Sequence, residues 1–276
     1  MTVDMGNVWD RTTEFLSDNF GAIVPVFAGA LWLPQMLSSL LGNAVAQSGV
    51  SLALQVIILV LALVGIWGQL AVVAQALDPD ASGPAARAAA TRSFGYGVAL
   101  SLLVGLIMFV LLLPALIALV AGGLDLAALA RGDAEAARGT PGAGTIGFAG
   151  VYCLVWCVVA IWFGARVALA NSALVAERAG LGAIARSFKL TRGIVWKMIG
   201  VYLLFFVVLA VASSAVTSVF GFIFAWILPD GGPWGPGAIV VAALAGLVGA
   251  IGTLVIAAFS AKLYCAVTAA GPAPAA

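Results

Sequence analysis

Cys153 and Cys157, four residues apart on one helix face, are the nearest approach in this sequence to a metal-binding or redox pair. A closed thiolate site needs further Cys, His or carboxylate ligands close by. The chain has no histidine, and its third cysteine, Cys265, lies in another apolar run. The pair reads as small packing residues in a membrane helix, and an odd, buried set of thiols argues against a disulfide framework. No carboxylate lies deep in an apolar run, so general acid–base work and an Asp/Glu proton relay have no candidates. Nothing resembles a phosphate loop or a nucleophile with its base. No catalytic, cofactor-binding or metal-binding residue is therefore expected, and the chain is not expected to be an enzyme.

Two other kinds of chemistry have candidates. Gln55 and Gln69 stand 14 positions apart in one apolar run, within about 40° of one face at 100° per residue, and Gln35 lies in an earlier run. Amides at such places bond neighbouring helices, at about 0.6 kcal/mol each, or line a path for a polar solute. The second candidate set is basic: Arg166, Arg186, Lys189, Arg192 and Lys197. Arg166 either snorkels to the interface or joins Arg186 and Arg192 on a lipid phosphate.

The elements that must position these residues follow from composition. Of 276 residues, 64% are hydrophobic and 8% charged, about a third of the charge a soluble domain carries. The apolar runs exceed the roughly 20 residues needed to cross a bilayer. They fall at 21–41, 51–77, 95–121, 145–170, 195–228 and 237–268, predicting an all-α polytopic bundle of about six transmembrane helices. The fifth is read as one tilted helix, because Trp196 and Trp226 would sit about 45 Å apart, near the full bilayer thickness. Pro25, Pro34 and Pro114 are expected to kink their spans, and Ala242, Gly246 and Ala250 to let helices approach closely. Residues 1–20 form an N-terminal segment, 21–268 the membrane domain, and 269–276 a disordered tail. The acidic start, Met-Thr-Val-Asp, is unlike a cleavable signal. A net charge of +1 gives no footprint for nucleic acid.

Residues 7–20 predict an amphipathic helix with Asn7 as N-cap and Val8, Trp9, Thr12, Phe15, Leu16 and Phe20 on one arc. Its polar face carries Asp10, Glu14 and Asp18 against Arg11, which an anionic leaflet repels. The helix is expected to dock on the protein, against segment 178–197.

Offsetting the chain by 100 residues brings Thr91-Arg92 onto Thr191-Arg192 and Tyr96 onto Trp196. The matching units, 51–121 and 145–228, each read as span, basic interfacial helix, span. In the second, Leu181, Ile184, Ala185 and Phe188 share a face, with Arg186 and Lys189 directed away. Such a helix lies in the interface with its charges towards anionic headgroups. Parallel repeats are one design of transporters, and also a common result of duplication.

The stretch 173–200, with Glu177, Arg186, Ser187, Phe188, Leu190, Thr191, Arg192, Gly193 and Trp196, resembles the membrane domain named for glycerophosphoryl diester phosphodiesterases. That bacterial family shows an Arg-Ser-aromatic-x-Leu-Thr-Arg-Gly run after an acidic residue. Many members carry a proline before the acidic segment, where Ser172-Ala173 stands here. The likeness extends over 21–268, although only this stretch is distinctive. The phosphodiesterase chemistry of the family belongs to a separate soluble barrel with essential histidines, and this chain has none. The resemblance implies a six-span fold in a bacterial inner membrane, not hydrolysis.

The function expected is non-enzymatic membrane or envelope organisation through lipids, anionic headgroups among them, or through a membrane-protein partner or second copy. The alternative is a transporter or channel for a small solute. A hydrated cavity reached by Gln55 and Gln69 would favour transport, and a packed bundle the first. Orientation follows from the basic residues. Ten of the twelve Lys and Arg fall on the side of the N-terminus and only Arg131 and Arg138 on the other, so both ends are expected in the cytoplasm. Reporters at either end should read cytoplasmic and one within 122–143 external. Labelling of intact cells that reached the C-terminus but missed Asp133 would overturn that orientation.

Overall fold

The computed structural model describes residues 3–48, 51–125, 128, 142–227 and 232–269. The tail beyond 269 and most of loop 122–143, including Arg131 and Arg138, lie outside them. Among the described residues every regular element is helical. Six helical stretches are long and apolar enough to span a membrane: Phe20–Gly42, Leu52–Leu77, Gly83–Ala121, Ala143–Glu177, Val195–Phe224 and Pro236–Ala269. The protein is an all-α multi-pass membrane bundle, the only open-chain architecture that satisfies its backbone without water.

Helix α1 (Met5–Asp18) starts at Asp4, not at Asn7. The Asp4 Oδ1 accepts the Gly6 N–H at 3.0 Å. The expected arc splits: Val8, Thr12 and Phe15 are buried, while Trp9 and Phe20 keep large exposed areas. The first span comprises α2 (Phe20–Val26), a π-helical stretch Phe27–Trp32 and α3 (Leu33–Ser48). The Leu33 N–H reaches back five residues to the Ala28 carbonyl, and Pro34, which has no N–H to give, follows at once. The wide turns absorb the register change that a proline imposes.

Helix α4 (Leu52–Leu77) is capped by Ser51, whose Oγ accepts the Leu54 N–H. The buried Gln75 donates to the Pro79 and Ala81 carbonyls, closing the turn into α5 (Gly83–Ala121). The second hairpin comprises α6 (Ala143–Val167), α7 (Ala170–Glu177), a short 3-10 turn, α8 (Ala183–Leu190) and α9 (Val195–Ile227). Helix α10 (Pro236–Ala269) closes the chain. Trp196 and Trp226 lie on the single helix α9, both more than 80% exposed.

The basic interfacial helix expected before α5 does not exist as a separate element. Residues 83–94 are the first turns of α5 itself. Gly193 marks one backbone difference between the two copies. Gly193 sits at φ +93° in the turn that ends α8, a conformation glycine adopts readily. Ser93 occupies the matching place, and there the helix runs on.

Helices α4, α5, α6, α9 and α10 each pack on the next and close into a ring, with the first span outside against α4 and α10. Lipid-facing walls dominate α5, α6 and α9. No residue in the most apolar stretch of Val195–Phe224 is buried. Helix α1 docks on protein, as expected, but on α10 and α9 and not on 178–197. The Lys262 ammonium lies 4.7 Å from the Phe15 ring centroid, and Trp9 packs on Phe205 at 5.6 Å. Phe188 of the 178–197 segment is engaged instead by Trp162 and Phe163 of α6.

Small residues set the closest approaches. A Cβ on Gly246 would stand 2.7 Å from the Met36 nitrogen and 2.9 Å from its Cα, and backbone has little freedom to yield. Gly246→Ala should lower the thermal midpoint in detergent, by about 1–3 kcal/mol of overpacking, despite alanine's higher helix propensity. Gly164→Ala, with open space at its Cβ, should not lower it. Equal behaviour of the two variants would refute this packing.

Candidate functional site

Arg166, at the end of α6, faces the protein. Its Nη1 donates to the Phe188 carbonyl at 3.2 Å, and its guanidinium lies 5.3 Å from the Trp162 ring and 5.8 Å from the Phe188 ring. The buried Ser187 donates to the Arg166 carbonyl at 2.6 Å, and Thr191 donates to the Ser187 carbonyl. These bonds pin α8 across the end of α6. The face that α8 buries is Ala183 and Ser187. Leu181 and Ala185 of the expected apolar face are exposed, while Ile184 and Phe188 are half-buried.

Arg186 is also engaged. Its Nε donates to Glu177 Oε1 at 2.8 Å, and the same oxygen accepts the Tyr264 hydroxyl at 2.6 Å. One carboxylate therefore ties α7 to α8 and α10, and the hydrogen bond holds the guanidinium above its ordinary range. Arg178 ends α7 in the left-handed region at φ 51°. Gly180, at φ +55°, lies against the Tyr96 ring, joining the turn to α5.

The five basic candidates thus separate. Arg166 and Arg186 make internal contacts, whereas Lys189, Arg192 and Lys197 are exposed and form no ion pair with a described residue. Beside them Trp196 is 81% exposed. With Arg178, also exposed and without an ion pair to a described residue, this end of the bundle offers four free cations and an indole on a segment pinned from behind.

Beneath it, the ring encloses a partly open cavity of about 760 Å³. Its wall is mostly apolar, with Gln69, Asn171 and Ser260 among the polar residues that line it; the Tyr202 hydroxyl is buried away from accessible surface and has no hydrogen-bond partner among the described residues. A smaller cavity of about 390 Å³ lies between the first span, α4 and α10, with Gln35, Gln69 and Thr253 in its wall. Gln69 borders both and accepts from Asn171 at 3.4 Å. Gln35 donates to Thr253 at 3.0 Å, the interhelical bond expected of such an amide. Gln55 is exposed on α4 and lines neither cavity. Cys153 and Cys157 are free thiols, and Cys157 borders the larger cavity. Among the described residues no three His, Cys, Asp or Glu side chains are grouped to hold a metal ion.

Tyr202 and Tyr264 escaped the sequence reading. Each is a polar side chain in an apolar run, the signal that singled out the glutamines, but a phenol also passes as an ordinary aromatic.

No protein-family model matches the chain, nor does any curated protein or solved structure. The fold itself defines the class, an integral membrane protein with six candidate spans.

The Glu177 knot makes a measurable demand. Arg186 and Glu177 are 42% and 33% exposed, so solvent screens the pair and each bond contributes about 1 kcal/mol. Glu177→Gln and Tyr264→Phe should each lower the thermal midpoint, and the double variant should lose less than the sum. Strict additivity would mean that Glu177 does not bind the two elements together.

Proposed function

We propose that the protein is a non-enzymatic component of a bacterial inner membrane, with both termini in the cytoplasm, that acts through contact with anionic lipid at the 178–197 segment. The observation carrying this reading is the trio Lys189, Arg192 and Lys197, exposed beside Trp196. Cations clustered at the cytoplasmic end of spans are attracted to anionic headgroups, at about 1 kcal/mol each near the surface, and tryptophan favours the same depth. The resemblance of 173–200 to the phosphodiesterase-linked membrane domain supports the same location. In this reading Arg166 and Arg186 hold the segment in shape, and the other three meet the lipid.

Transport of a small solute is the second reading, and one observation favours it: Gln69 borders both cavities. Against it, the wall of the larger cavity is mostly apolar, and Gln55 is absent from both.

The test neutralises Lys189, Arg192 and Lys197 together to Gln. Lipid extracted with the purified protein should then be depleted in anionic species, by about fivefold for each charge removed, while the thermal midpoint holds. An unchanged ratio of anionic to zwitterionic lipid would reduce these residues to topology signals.

A further inference from the structure

The smaller cavity, about 390 Å³, falls within the roughly 300–1,000 Å³ typical of small-ligand sites. Thr253 in its wall stands at the midpoint of α10, so the space lies deep in the membrane. Four of its ten wall residues carry polar side chains: Gln35, Ser38, Gln69 and Thr253. Polar groups at that depth have no bulk water to satisfy them.

The bonds within the wall decide which atoms remain for an occupant. Thr253 donates to the Gly249 carbonyl at 3.0 Å, so its oxygen accepts from Gln35, whose Nε2 lies at 3.0 Å. Gln35 Oε1 is therefore the free end of that amide, set against Gly249, where a Cβ would collide with it. Gln69 Oε1 accepts from Asn171 at 3.4 Å, a long bond, which leaves Gln69 Nε2 as the free end of its own amide. The Ser38 hydroxyl makes no hydrogen bond with a described residue. The unpaired side-chain atoms sealed inside the described bundle are Arg166 Nε, Ser172 Oγ and the Tyr202 hydroxyl. Gln35 Oε1, Ser38 Oγ and Gln69 Nε2 are unpaired as well, but each keeps surface that a bound molecule can reach.

The wall thus presents one acceptor, one donor and one hydroxyl that does either. Neither cavity has a Lys, Arg, Asp or Glu in its wall. An ion held there would lie in the membrane without a counter-charge, at high cost, so the chemistry selects an uncharged occupant. An acyl tail is disfavoured by the opposite argument, because it would leave all three polar atoms unpaired.

We propose that the smaller cavity binds a small uncharged solute carrying hydroxyl or amide groups. Gln69 Nε2 donates to the solute's oxygen, Gln35 Oε1 accepts from its O–H or N–H, and Ser38 completes the contact. The site goes beyond the lipid-contact reading and uses none of its residues. It gives the transport reading a solute class, although binding here requires no passage across the membrane.

Full-length protein in phosphatidylcholine nanodiscs is titrated with acetamide, glycerol and acetate, the last a charged match for acetamide in size. Saturation-transfer NMR should show transfer to acetamide and glycerol above that of empty nanodiscs, with transfer to acetate at least tenfold weaker. Gly65→Leu, at a wall position where a Cβ meets open space, should fill the cavity and abolish the transfer. Ser38→Ala and Gln69→Leu should each weaken acetamide binding about fivefold, the effect of one hydrogen bond. Gln55→Leu, on the same helix as Gln69 but bordering neither cavity, should not. Ser38→Ala breaks no internal bond, so an unchanged thermal midpoint separates lost contact from lost fold. Equal transfer to acetate, or transfer to the neutral probes that survives Gly65→Leu, would overturn the proposal. No transfer to either neutral probe would also overturn it and leave the cavity to water alone. Binding that persists in the Lys189, Arg192 and Lys197 variant while anionic lipid fails to deplete would sink the headgroup reading alone. Binding without glycerol entry into proteoliposomes would sink transport and keep the site.

Discussion

The approach of α10 to the first span is the constraint from which the rest follows. Lipid tails are as apolar as leucine, so helices in a membrane gain nothing by hiding apolar faces from each other. They must gain by close packing and by hydrogen bonds between spans. Gly246 brings α10 against the Met36 backbone, Gly249 receives the Gln35 amide and Gly252 receives Leu209. Once the first span sits that close, Gln35 meets Thr253 and the Trp32 indole donates to the Ala243 carbonyl at 2.9 Å. A larger residue at 246 would separate the helices and leave those polar groups in hydrocarbon without partners.

The central position of α10 determines what the other elements do. Its cytoplasm-facing end, in the proposed orientation, receives α1 through Phe15 and Lys262 and receives α7 through Tyr264 and Glu177. Its middle meets α4 and α9. The ring is therefore tight on the α10–α4 side, where buried residues concentrate, and loose on the side of α5, α6 and α9, where few are buried. A cavity in such a ring falls on the loose side by construction, bordered by helices that also face lipid.

The spans were legible in the sequence because their signal is long and one-dimensional. All six apolar runs became helices, with boundaries close to the expected ones except where α5 begins. What escaped was pairing. The balance of charge on α1 pointed to a basic, apolar surface, but several such surfaces exist, and only packing shows that Phe188 is already engaged while Lys262 is free to cover Phe15. The repeat was visible in Thr91-Arg92 and Thr191-Arg192, yet the difference in shape hangs on Ser93 against Gly193. Periodicity placed Gln55 and Gln69 on one face. It could not say that the ring closes only around the second, about 21 Å further along α4.

Basic residues at a membrane surface have two uses, and in the proposed function this chain assigns them separately. A cation that must recognise lipid should be exposed and unpaired, whereas one that holds a turn must be spent on protein acceptors. Arg166 and Arg186 are spent on the Phe188 carbonyl and the Glu177 carboxylate. The planar guanidinium suits that role, since it donates and stacks on rings at once, as Arg166 does on Trp162 and Phe188. Lysine has a point charge on a flexible stem and is better suited to a mobile headgroup, and two of the three exposed members of the candidate set are lysines. Arg192, the third, is exposed in the turn that Gly193 makes possible. The turn that divides α8 from α9, missing in the first half of the chain, is thus also what leaves Arg192 exposed between two helices.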